Sequence, residues 1–150
     1  MIELILNIPY QYWIINLKSW NTLKVNKELI TSCYNLLMLR IKRVYDGYEE
    51  SDGYRILIDR LWPRGVSKSD AHIDLWLKEI APSTELRTWF GHDPKKWQDF
   101  RKKYEMELAA NQESVEQMEK IMKEHDNVTL VYAAKDEVHN DAVVLLDYFR

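Results

Sequence analysis

Two uninterrupted apolar runs dominate the hydrophobic pattern of this chain. Residues 56–58 (ILI) form the first, inside the segment 54–60, and residues 128–134 (VTLVYAA) form the second. Runs of this length without alternation are typical of strands buried on both faces, as in parallel sheets. A third segment, 39–45 (LRIKRVY), begins with alternating apolar and basic residues, as a half-exposed strand does. We expect it to neighbour the 54–60 strand, because consecutive elements usually pair.

Helical patterns lie between and after these runs. A helix over 84–90 is bracketed by a serine N-cap and a glycine stop signal, and a longer helix begins at Asp93-Pro94. A third spans about 113–125, and a last one follows the 128–134 run. The longer helix carries an apolar stripe that we interpret as core rather than as a platform for nucleic-acid bases: Trp97, Phe100, Tyr104 and Leu108. The pattern predicts a single-domain α/β fold, with a central, mostly parallel sheet of about four strands and helices packed on its faces.

Residues 1–37 differ from the rest of the chain. They hold five of its eight asparagines and no glycine, and their apolar residues keep neither a strand nor a helix period, apart from a short helical pattern at 27–37. We interpret them as an atypical, peripheral N-terminal extension ahead of an α/β domain at 38–150. The alternative is an additional docking arm.

Composition narrows the class of protein. Hydrophobic residues make up 46% and charged residues 30% of the chain, as in soluble globular proteins. No segment reaches the roughly 18 apolar residues of a membrane span. The net charge of −3 argues against a broad nucleic-acid footprint, and the single cysteine, Cys33, fits a reducing cytoplasm.

Each buried run ends in a cluster of polar residues. Asp59, Arg60, Trp62 and Arg64 crowd around a proline after the first run. Lys135, Asp136 and His139 follow the second. If the two strands are parallel, both clusters lie at the same edge of the sheet, where α/β proteins bind ligands.

The first cluster, together with Lys135 of the second, has the chemistry of an anion site. Arg60 and Arg64 offer forked, permanently charged donors for a phosphate or carboxylate, and Lys135 adds a point charge. Trp62 offers a flat face for a base or sugar, and Asp59 an acceptor for a ligand hydroxyl. The structural alternatives are an ion pair of Arg60 with Asp59 or with a helix C-terminus, and a position of Trp62 in the core or at its rim.

Acid–base chemistry is a second expectation. Asp136 and His139 are three residues apart and are the candidate catalytic pair; in the alternative, Asp136 merely caps the last helix. His92 is a candidate ligand contact or a residue of the corner between two helices. The four histidines have no recognised metal spacing, and no nucleotide-binding glycine motif is present, so we expect neither a metal nor another cofactor.

Five segments together resemble the YeaO-like family, a group of small bacterial proteins with a domain of unknown function. They are LRIKRVYD (39–46), DRLWPRG (59–65), DLWLKEIAP (74–82), WFGHDP (89–94) and VYAAKD (131–136). The resemblance covers about residues 38–150. It implies a shared α/β fold but no established activity.

The residues therefore favour a small cytoplasmic protein with a crevice for an anionic, phosphate- or nucleotide-like ligand, and leave open whether it is an enzyme. The alternative function is a non-enzymatic module that binds nucleic acid or protein through the basic residues of 95–103 and the arginine loop that follows the 54–60 strand.

We expect a chain that begins at Met38 to fold with nearly the stability of the full chain, because residues 1–37 fit no regular element. Urea denaturation of both chains measures this. A loss of several kcal/mol in the shorter chain would assign residues 1–37 to the core.

Overall fold

A computed structural model describes residues 39–150, and the expectations for residues 1–37 lie outside the described residues. The described chain forms strands β1 (Leu39–Arg43), β2 (Tyr54–Leu57), β3 (Leu75–Trp76) and β4 (Val128–Tyr132), and helices α1 (Lys68–Ala71), α2 (Thr84–Phe90), α3 (Trp97–Ala110), α4 (Gln112–Glu124) and α5 (Asp141–Tyr148). Among these residues, no helix is both long enough and apolar enough to cross a membrane.

The four strands form one parallel sheet in the order β1-β4-β2-β3. The predicted α/β class and the parallel pairing of the two apolar runs are confirmed. The expectation that β1 neighbours β2 is wrong, because β4 lies between them. All five residues of β4 are buried, which suits a central position, whereas β1 is partly exposed and lies at the edge of the sheet.

Alternate side chains of the central strands enter two cores. Ile56, Ile58 and Leu130 pack on one face against apolar residues of α2 to α5. Leu57 and Val131 pack on the other face against a smaller group that includes Ala71 of α1. All five residues of β4 are buried, which explains why its sequence does not alternate.

The helix boundaries follow the predicted caps. Ser83 accepts a hydrogen bond from the N–H of Leu86 at the start of α2, and Gly91 ends that helix in the left-handed conformation, with φ of 54°. The aromatic stripe of α3 is buried, so its interpretation as core is confirmed. The alternative in which Asp136 caps the last helix is wrong. The side chain of Asn140 accepts the N–H of Val143 and caps α5.

A buried arginine stabilises the end of the sheet where the strands begin. Arg55 is only 1% exposed, and its guanidinium pairs with the carboxylate of Asp52. It also donates to the carbonyl oxygens of Ala71, at 3.1 Å, and His72, at 3.0 Å. Lys42 lies 3.1 Å from the same carboxylate. Every charge in this group therefore has a partner, as burial requires.

Gly53 provides a stability test. Its φ is +64°, and an added Cβ would collide with the backbone carbonyl of Asn127. Gly47 has a similar φ of +72° but open space around it. We expect Gly47→Ala to lose about 1–3 kcal/mol of unfolding free energy from backbone strain alone. Gly53→Ala should lose clearly more, measured by urea denaturation, and equal losses in the two variants would contradict the collision.

Candidate functional site

A crevice of about 540 Å³ lies where the polypeptide leaves the C-terminal ends of β1, β2 and β4. The segments that line it are the loop after β2, helix α2 with the turn after it, and the first residues of α5. Its polar lining residues are Tyr45, Asp59, Arg60, Trp62, Arg64, Thr84, Arg87, Thr88, His92, Asn140 and Asp141.

The loop after β2 is held by hydrogen bonds at several points. The indole N–H of Trp62 donates to the carbonyl oxygen of Val66 at 2.8 Å. The hydroxyl of Tyr45 donates to the carbonyl oxygen of Arg64 at 3.2 Å. Trp76 of β3 donates to the carbonyl of Asp59 at 2.7 Å. Buried Pro63 restricts the backbone further. The loop therefore presents its arginines from a fixed backbone.

Asp59 joins the crevice to the sheet. Its Oδ2 atom accepts the backbone N–H of Ala133 at 2.9 Å, directly after β4. Burial, and then the nearby carboxylate of Asp141, raise the pKa of Asp59 from 3.8 to about 7. The N–H of Ala133 and the charge of Arg87 act in the opposite direction.

Asp141 is the second carboxyl group of the crevice. It is the first residue of α5, after the cap Asn140. Burial raises its pKa, while backbone N–H groups at the start of the helix and the charges of Arg87 and His92 lower it. Since the pKa of Asp59 is about 7, the two carboxyl groups together carry less than two negative charges near neutral pH.

Arg60 differs from every other polar side chain described. Its Nε atom is the only buried side-chain nitrogen or oxygen in residues 39–150 that has no hydrogen-bond partner. By contrast, each of the three guanidinium nitrogens of Arg55, on β2, donates to a protein group. The salt bridges of the described residues do not include one between Arg60 and Asp59, so the alternative ion pair is wrong.

The structure divides the predicted site residues into two groups. Five line the crevice: Asp59, Arg60, Trp62, Arg64 and His92. Three do not: Lys135, Asp136 and His139. Trp62 packs against the smaller core. The ring of His139 instead meets Trp97 of the larger core edge-on, with the two ring centres 5.3 Å apart.

Asp136 and His139 do form a close pair, with Oδ2 and Nδ1 2.9 Å apart. The backbone N–H groups of His139 and Val138, and then the imidazole, lower the pKa of Asp136 to about 2. A carboxylate with so low a pKa is a weak base and is poorly suited to accept a proton from a ligand. Its hydrogen bonds to the backbone of Val138 and His139 are those of a turn that holds the His139 ring in place. Their predicted catalytic role stays a prediction.

Sequence reasoning missed Arg87 and Asp141 as site residues. Arg87 lies inside α2, and only the packing of that helix brings it to the crevice. Asp141 had a readable signal, because Asn140 is a good N-cap and α5 begins directly after it. Among the described residues, no three His, Cys, Asp or Glu side chains are grouped in a way that would hold a metal.

The raised pKa of Asp59 predicts a pH dependence. A group whose folded pKa lies above its unfolded value stabilises the fold below the unfolded pKa of 3.8, and this contribution is lost as the pH rises through about 7. Asp59→Asn keeps an oxygen for the N–H of Ala133 but cannot ionise. We expect the variant to gain about 1–4 kcal/mol relative to the native chain between pH 4 and 8.

Urea denaturation at several pH values measures this difference, with Glu116→Gln on the exposed side of α4 as a control. A difference between Asp59→Asn and the native chain that does not change with pH would contradict the raised pKa.

Comparisons with known proteins agree with the resemblance noted above. The chain is 47% identical over 112 residues to the uncharacterised protein YeaO of Escherichia coli (strain K12), which covers 75% of this chain and 96% of YeaO. It is 43% identical over 70 residues to the uncharacterised protein Rv3073c of Mycobacterium tuberculosis (strain ATCC 25618 / H37Rv), which covers 47% of this chain and 59% of that protein. No solved structure matches. A family model described as the inactive DUF488-N3 subclade matches residues 38–150, so this chain belongs to that family.

Proposed function

We propose that this protein binds a small anionic ligand, through a phosphate group, in the crevice at the C-terminal ends of its strands. The observation that carries the proposal is the buried Nε–H of Arg60, which has no partner among the described residues. A buried donor without a partner costs about 1–3 kcal/mol. Rotation of the Arg60 side chain toward an anion in the crevice would give this donor a partner and remove that cost.

The charges around the crevice support an anion. Arg60, Arg64 and Arg87 carry three positive charges on its walls. Asp59 and Asp141 do not fully cancel them, because burial raises the pKa of both carboxyl groups and the charge of Asp141 raises that of Asp59 further. The positive excess that remains suits a phosphate, which guanidinium groups contact through paired hydrogen bonds.

Binding without catalysis is the form of this function that the observations favour. The family's description names an inactive subclade, and the Asp136–His139 pair does not line the crevice. The carboxyl ends of parallel strands bind ligands in many α/β proteins, whatever their chemistry. We expect the ligand to be met in the cytoplasm, in line with the single cysteine of the chain.

A second candidate function is the binding of nucleic acid through the basic residues of 95–103, in α3 and the turn before it. Lys96 and Lys103 lie 5.4 and 5.3 Å from the ring centre of the exposed Trp89. It is the weaker candidate, since these lysines already cover the ring on which a base would stack. A steep fall of nucleic-acid affinity with salt would support it.

Arg64 offers the cleaner test of the proposed function, because its side chain is exposed. We expect Arg64→Ala to weaken the binding of inorganic phosphate about tenfold or more, the value of one charge-assisted hydrogen bond, with little change in melting temperature. Arg60→Met should weaken it at least as much. Isothermal titration calorimetry measures both affinities.

Arg101→Ala is the matched control. Its guanidinium already contacts Asp147 at 3.0 Å, outside the crevice, and phosphate affinity should be unchanged. Equal phosphate affinities in the native chain and the Arg60 and Arg64 variants would refute the proposal, as would an absence of phosphate binding by the native chain.

A further inference from the structure

We infer that the ligand of this crevice is a sugar phosphate, held by its phosphate at the arginines and by its hydroxyl groups at Asp59 and Asp141. This inference rests on the proposed function and adds the chemical class of the ligand. Three features of the crevice carry it: its volume, its two kinds of polar group and its apolar wall.

The volume is too large for a free ion. Crevices that bind small organic molecules measure about 300–1,000 Å³, and this one measures about 540 Å³. A phosphate ion is only a few times larger than a water molecule, whose share of liquid volume is about 30 Å³. A phosphate bound alone would therefore leave most of the crevice filled with water, with room for an organic part of the ligand.

The polar groups are of two chemical kinds. The guanidinium groups of Arg60, Arg64 and Arg87 can only donate hydrogen bonds, whereas ionised carboxylates can only accept them. Within residues 39–150, the Oδ1 atom of Asp59 has no hydrogen-bond partner, since only Oδ2 accepts the N–H of Ala133. A ligand that fits both kinds of group must carry acceptors and donors. Phosphate oxygens and sugar hydroxyls provide them.

Hydroxyl donors suit this carboxyl pair better than an ammonium group does. Two fully ionised carboxylates would favour a cation, but the raised pKa values of Asp59 and Asp141 mean that the pair is partly protonated near neutral pH. Arg87 also contributes positive charge near both carboxyl groups and would repel a ligand amine. A neutral hydroxyl meets neither obstacle.

Apolar side chains complete the site. Pro63, Phe90, Ala133 and Ala134 line the crevice together with the indole of Trp62. The hydroxyl-bearing carbons of a sugar present C–H groups, and these groups pack favourably on aromatic and aliphatic surfaces. Trp62 is held for such a contact, because its N–H donates to Val66 and its ring meets Trp76 edge-on at 5.5 Å.

Isothermal titration calorimetry of the full chain with ribose 5-phosphate, inorganic phosphate and ribose tests the inference. The native chain should bind ribose 5-phosphate at least about tenfold more tightly than inorganic phosphate, and ribose weakly. Asp141→Asn should reduce the affinity for ribose 5-phosphate about tenfold, the value of a hydrogen bond to a charged group, without weakening inorganic phosphate.

Two further variants keep the result interpretable. Asp59→Asn should behave as Asp141→Asn does, which covers the case in which Asp141→Asn does not fold. Asp147 lies exposed in the last turn of the same helix and outside the crevice, so Asp147→Asn should change neither affinity.

The outcomes separate the two proposals. Equal affinities for ribose 5-phosphate and inorganic phosphate would overturn the sugar inference and leave phosphate binding intact. Asp141→Asn weakening both ligands equally would also overturn it, because the carboxyl group would then support the whole crevice rather than the sugar. Failure of the native chain to bind either phosphate compound would overturn the proposed function itself.

Discussion

The hydrogen bond from the backbone N–H of Ala133 to the carboxyl group of Asp59 joins the ends of the two central strands. It continues the β2–β4 pairing, whose last backbone contact is the bond from the N–H of Ile58 to the carbonyl of Val131 at 3.1 Å. Where the ladder stops, a side chain replaces the next backbone acceptor. The loop after β2 and the polypeptide leading to α5 are therefore fixed side by side, and the crevice forms between them and α2.

Two arginines, one inside β2 and one just after it, differ in how many hydrogen-bond partners the protein gives them. Arg55 lies inside β2, and carbonyl groups and Asp52 satisfy its guanidinium. Arg60 lies just after the strand, and its buried Nε has no partner within residues 39–150. Structural arginines are saturated by their own protein, because an unpaired buried charge is costly. This contrast is the reason for our proposal that Arg60, rather than Arg55, takes a partner from outside the described chain.

Local sequence predicted the elements well where one local force decides them. The continuous apolar runs identified β2 and β4, and the serine and glycine around 84–90 identified α2, because burial and capping act within a few residues. Strand order depends instead on contacts between segments distant in sequence, such as β1 with β4, and the proximity of β1 to β2 in sequence was misleading. The same reason decides which residues of the crevice the sequence pointed to. Asp59, Arg60 and Arg64 are adjacent to a strand end, but Arg87 reaches the crevice only through the packing of α2.

Nuclear magnetic resonance of the arginine Nε–H groups tests the central claim directly, because it observes the atom on which the proposal depends. Inorganic phosphate is titrated into the uniformly ¹⁵N-labelled chain, with the resonance of Arg60 assigned from Arg60→Lys. We predict a saturable shift of the Arg60 Nε–H resonance, while those of Arg55 and Arg101, whose guanidinium groups already have carboxylate partners, stay in place. An unchanged Arg60 resonance at saturating phosphate, or equal shifts of all three, would contradict an anion site in this crevice.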